Sequence, residues 1–98
     1  MLFLVYRKDK PGSLDVRLSN YRAHLDYLRP YKDRLVGGPT LDEGAGTNDE
    51  NMTGSFLILD AENWQVVERF LAEDPFSRAG LFSTTIVDRW KHGRHNDE

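Results

Sequence analysis

The chain has 98 residues, 39% of them hydrophobic and 30% charged, with a formal net charge of -3 at pH 7. That length supports one compact domain with one core and is too short for two, and the composition is that of a chain that folds. Thirteen scattered Lys and Arg against sixteen Asp and Glu leave no footprint for a nucleic acid, and the absence of cysteine excludes disulfides, thiolate nucleophiles and Cys-based metal sites.

The apolar run Met1 to Tyr6 is too short for a signal-peptide core and meets Arg7 and Lys8 at once, so neither secretion nor membrane insertion is expected. A cytoplasmic location is the expectation, and the lack of Cys fits a reducing compartment. Leu2, Phe3, Leu4, Val5 and Tyr6 predict a first strand, closed by the turn signal Asp9-Lys10-Pro11-Gly12. Ser13 is placed to cap a helix in which Leu14, Leu18, Tyr21, Leu25 and Leu28 recur on one face, and Pro30 limits it.

Leu35 to Leu41 predicts a weaker strand, because Gly37, Gly38 and Pro39 remove packing and a ladder donor. Asp42 to Ser55 is polar and glycine-rich without an apolar period and reads as a long connection, followed by a strand at Phe56 to Leu59. Ala61 to Ala72 sets Trp64, Val67, Phe70 and Leu71 at helical spacing with Asp60 as a possible cap. Phe82 to Trp90, rich in Thr, Ile and Val, is the last strand, and residues 92–98 form a polar tail.

The order βαββαβ is the ferredoxin-like α+β arrangement: an antiparallel four-stranded sheet with both helices on one face, here one domain over residues 1–91. In the first and third strands both alternating faces are apolar, whereas two helices cover only one side of a sheet. The simplest cover for the other side is a second copy, which predicts a homodimer through the sheet face.

Two residues stand out for chemistry. His24 falls at the edge of the apolar stripe of the first helix, where it reads either as a half-buried boundary residue or as a general acid or base. Asp74 precedes Pro75, the pattern of an N-cap followed by proline at the first helical position. A cap and a catalytic role are compatible, since a carboxylate has about four acceptor positions. Gly44 to Gly46 lacks the context of a dinucleotide fingerprint, and His92 and His95 have no carboxylate or thiol framework, so no cofactor and no metal is expected.

The stretches "NYRAHLDYL", "VGGPTLDE", "GSFLIL" and "AEDPFSRAGLF" resemble the YCII-related proteins across Met1 to about Lys91, most specifically at Arg22 to Leu25 and at Asp74 to Phe82. The resemblance implies a ferredoxin-like protomer in a dimeric α/β barrel, with a histidine of the first helix and an aspartate before proline as a catalytic dyad. Those positions match His24 and Asp74. It also implies relatives that act as lyases on chlorinated hydroxy-aromatics.

On this basis the expected function is a cofactor-free enzyme transferring protons on a small phenolic or acidic metabolite; the alternative is a non-catalytic small-ligand-binding dimeric module. Tyr6, Tyr21, Phe76 and Phe82 are expected to wall the pocket, and Arg22 or Arg17 to hold an anionic group, although both arginines also read as solvated charges on a helix flank. Gly44 to Thr53 is longer and more polar than the hairpin turn usual in the family.

Overall fold

The computed structural model describes residues 1–44 and 51–93. Its elements follow the expected order: β1 (Leu2–Asp9), α1 (Leu14–Leu28), a 3-10 turn (Arg29–Tyr31), β2 (Leu35–Leu41), β3 (Met52–Asp60), α2 (Trp64–Glu73), a short α3 (Pro75–Arg78) and β4 (Phe82–Trp90). The four strands form one antiparallel sheet in the order β2-β3-β1-β4, the ferredoxin-like arrangement. No helix among the described residues is long and apolar enough to cross a membrane.

Register decides which side chains share a face. Phe3 stands opposite Leu59, Val5 opposite Leu57 and Arg7 opposite Ser55, and all six are buried. The alternate positions, Leu4 with Ile58 and Tyr6 with Phe56 and Ile86, project from the other side, because successive side chains along a strand point to opposite faces. The core lies on the first face, where Phe3, Val5, Leu57 and Leu59 pack with Val67, Phe70 and Leu71 of α2.

Capping differs from expectation at two helices. Ser13 stands at the N-cap of α1, but its side chain makes no capping bond. At α2 the cap is Asn63, whose Oδ1 accepts from the Val66 amide at 3.0 Å, while Asp60 still belongs to β3 and pairs with the N-terminal amine at 3.0 Å. The connection expected over Asp42 to Ser55 is shortened from its far end, since Met52 to Ser55 already lie in β3; residues 45–50 fall outside the described residues.

Helix α1 departs most from its sequence pattern. The buried positions are Arg17 and His24, with Tyr21 and Leu28 half-buried beside them, whereas Leu18 and Leu25 remain 48% and 47% exposed. At about 100° per residue, Arg17 and His24 share one line along the helix, and the leucine stripe lies beside it. The helix is therefore turned so that a charged residue and a titratable one face the sheet. Burial on that scale requires partners for both.

Candidate active site

Three stretches of chain supply those partners. At the end of α2 the backbone leaves the helix at Asp74, and Pro75 begins α3 with its φ already helical and no N–H to satisfy. Asp74 Oδ1 accepts from the Phe76 amide at 2.9 Å, the N-cap bond. The same carboxylate faces α1: His24 Nδ1 lies 2.9 Å from Oδ1 and 3.1 Å from Oδ2, with both residues buried. An ionised carboxylate only accepts, so the contact assigns a proton to Nδ1, and in the neutral imidazole the lone pair then lies on Nε2.

Nε2 has no hydrogen-bond partner among the described residues, and His24 lines a cleft of about 220 Å³ between α1 and strands β2 and β3. Beneath the imidazole, the Phe76 ring stacks at 4.0 Å and 14°, which holds the ring plane as Asp74 holds its edge. Phe82 meets Phe76 edge-on at 6.1 Å. The ring that docks the turn into the core thus also supports the histidine.

Arg17 enters the cleft from the same helix, about two turns earlier, and is 1% exposed. Its Nε donates to Asp9 Oδ2 at 2.7 Å and its Nη2 to Asp9 Oδ1 at 2.8 Å, a forked pair, and Nη2 also donates to Ser55 Oγ at 2.9 Å. Arg17 is therefore no solvated flank charge. Burying a guanidinium is tolerable only with such pairing.

A second arginine lies on the sheet itself. Arg7 is buried, donates from Nε to Thr85 Oγ1 at 3.0 Å and places its guanidinium 3.9 Å from the centre of the Phe82 ring. Its Nη1 has no partner among the described residues. Burial pushes Arg7 below its ordinary pKa, and the neighbouring negative charge of Asp74 pulls it part of the way back. Arg7 thereby sets a positive charge near the carboxylate that holds His24.

The expected pocket residues divide into two groups. Tyr21 lines the cleft, Phe76 lies under the histidine, and Phe82 sits one ring further back against Arg7. Arg22 points to solvent, where it lies 3.7 Å from Asp26 on the same helix. Tyr6 occupies the face of the sheet opposite to the one that carries Arg7 and the helices, so within one protomer it does not wall this cleft. The residues that sequence reasoning missed are Asp9, Ser55 and Arg7, together with Leu35, Gly37 and Pro39 along the β2 wall. Arg7 did leave one signal, a charge on the face that alternation assigns to the core residues Phe3 and Val5.

Fold and site together define a small α+β protein in which a buried histidine–carboxylate pair opens on a cleft sized for a small molecule. The chain belongs to the YCII-related family, whose model matches residues 1–91. It is 32% identical over 97 residues to Protein YciI of Escherichia coli O6:H1, covering 93% of this chain and 97% of that protein. It is 29% identical over 96 residues to an uncharacterized protein of Haemophilus influenzae, again covering 93% and 97%.

Among solved structures, it resembles the 5-chloro-2-hydroxyhydroquinone dehydrochlorinase TftG of Burkholderia phenoliruptrix AC1100, in complex with 2,5-dihydroxybenzoquinone. The TM-score is 0.94 and the identity 64%, over 99% of this chain and 100% of that one.

Proposed function

We propose that this protein is a cofactor-free lyase that removes hydrogen chloride from a chlorinated trihydroxybenzene, with His24 and Asp74 as its acid–base dyad. The observation that carries the reading is the buried 2.9 Å contact between His24 Nδ1 and Asp74, which leaves Nε2 as a base in the cleft. Its substrate class is supported by the full-length similarity to the TftG dehydrochlorinase.

The chemistry needs proton transfers and a leaving group only. Nε2 takes the proton of the hydroxyl next to the chlorine, and the phenolate charge spreads onto the chlorine-bearing carbon. The imidazolium, held by Asp74, returns the proton to that carbon. Chloride then departs with its bonding pair as the hydroxyl para to the first one gives up its proton to solvent. The products are a hydroxybenzoquinone and HCl: the ring goes from quinol to quinone while C–Cl becomes C–H, so no external oxidant is needed. A positioned general acid–base of this type contributes about 10²- to 10⁴-fold.

The outer face of the sheet supports a homodimer. Leu4, Tyr6, Phe56, Ile58, Ile86 and the 68% exposed Val36 form an apolar surface on the side away from the helices. In a dimeric barrel a second copy covers this surface.

The deciding experiment incubates the purified protein with 5-chloro-2-hydroxyhydroquinone and follows chloride release together with the visible absorbance of the quinone. The wild type is expected to release chloride and quinone in equal amounts, and His24→Ala to lose at least 10²-fold in rate. A wild type no faster than buffer would remove the enzymatic reading and leave a binding module.

A further inference from the structure

We infer that Arg7, buried on the core face of β1 behind Phe82, is the counter-charge of Asp74 and a positioning residue of the dyad: it keeps the carboxylate ionised while His24 is neutral, so that Nε2 stands free as the base. This inference rests on the proposed His24–Asp74 dyad and adds the group that sets its charge.

Arg7 is 9% exposed and shares a face of β1 with Phe3 and Val5, where an aliphatic side chain of its length would bury no charge. A guanidinium keeps its proton inside proteins. Among the described residues Arg7 has no carboxylate within ion-pair distance: Nε donates to Thr85 Oγ1 at 3.0 Å, Nη1 has no partner, and the guanidinium lies 3.9 Å from the centre of the Phe82 ring. The other buried guanidinium, Arg17, is matched directly by Asp9. Arg7 and Asp74 are the charges left to answer each other, and they do so: burial lowers the pKa of Arg7, and Asp74 is the charge that raises it.

The way from Arg7 to the dyad is apolar. Phe82 lies against the guanidinium and meets Phe76 edge-on at 6.1 Å, and Phe76 stacks on His24 at 4.0 Å. Little there screens a charge, so Arg7 acts strongly on the pair. The other groups around it change this balance little. Arg17 and Asp9 cancel, the phenols of Tyr21 and Tyr27 on α1 are neutral near neutral pH, and Glu73 and Arg78 are exposed and of opposite sign. Strands β3 and β4 add the hydroxyls of Ser55 and Thr85. Arg7, Arg17, Asp9 and Asp74 therefore sum to zero when His24 is neutral, and a proton on His24 leaves one positive charge uncompensated. Arg7 opposes that proton, whereas without Arg7 the carboxylate would retain it.

The test follows the ring-proton NMR resonances of His24 against pH in the whole protein without ligand, assigned by their loss in His24→Gln. In Arg7→Met, which fills the volume without the charge, the ring is expected to titrate at higher pH than in the wild type, by about half a unit or more. Arg7→Lys, which restores the charge, is expected to bring the titration at least halfway back. Arg7→Gln, whose amide can still bond Thr85, serves as the loss variant if the methionine form does not fold.

Titration at the same pH in wild type and the loss variant would overturn the inference. So would an equal displacement in Arg7→Lys and the loss variant, which marks packing against Phe82 rather than charge. Because the ring is read without turnover, a titration that depends on Arg7 in a protein that releases no chloride would defeat the proposed reaction and leave this counter-charge standing. Chloride release with an unmoved titration would do the reverse.

Discussion

Asp74→Asn separates the two roles that one carboxylate holds. Asn caps helices about as well as Asp, and its Oδ1 can keep the 2.9 Å bond from the Phe76 amide, so α3 should survive. The atom that replaces Oδ2 is an NH₂ donor, 3.1 Å from His24 Nδ1. The retained Oδ1, 2.9 Å from Nδ1, can still accept its proton, so the new donor crowds the contact rather than abolishing it. The imidazole is held less firmly in the tautomer that leaves Nε2 free.

The negative charge that stabilised the imidazolium is gone as well. The expected loss in kcat is about 10²- to 10⁴-fold, or about 3–5 kcal/mol of barrier. Replacing a charge-assisted hydrogen bond by a neutral one should lower stability by only about 1 kcal/mol, a shift in Tm of about 4–8 °C. Asp74→Ala removes the cap too and should cost about 1 kcal/mol more. Steady-state chloride release beside calorimetric melting measures both effects. An Asp74→Asn protein that folds and keeps kcat within threefold of wild type would refute the dyad.

Asn63→Ala removes the cap of α2 and is expected to lower stability by about 1 kcal/mol in urea unfolding, while Asn63→Asp stays within a few tenths. The Tyr27 phenol donates to the Phe70 carbonyl at 2.7 Å, and its pKa is raised above the usual value of 10.0 by burial first, then by Tyr31, Glu73 and Asp74. Because the folded pKa is the higher one, the unfolded chain ionises first. Stability is therefore intact below about pH 10 and falls as the pH rises towards the folded pKa, and Tyr27→Phe should flatten that alkaline decline in melting experiments. Ile86→Arg places a charge in the outer apolar face of the sheet opposite Tyr6, and light scattering should report a shift from the proposed dimer to monomer without loss of helical signal.

Local patterns in the sequence carry much of the architecture, because they rest on physics that acts within a few residues. Leu35 to Leu41 and Phe82 to Trp90 are strands with the expected bounds, and Asp74-Pro75 opens a helical turn. Caps were less legible. Ser13, Asp60 and Asn63 are all competent residues, and only the path of the chain decides which side-chain oxygen meets a free amide. The polar first half of β3 carries no apolar alternation because Gly54 and Ser55 serve close approach and hydrogen bonding rather than packing: a Cβ at Gly54 would run into the Arg7 backbone.

The sequence by itself determined the order of strands and helices, the two-sided apolar character of β1 and β3, and a histidine and an aspartate of the right types in the right neighbourhoods. Only the tertiary structure decided how α1 is turned. Its leucine stripe states which surface is apolar, but the line that faces inward carries Arg17 and His24, and their partners Ser55 and Asp74 lie 38 and 50 residues away along the chain. A buried charge is affordable only where such partners meet it, and no local pattern records that meeting.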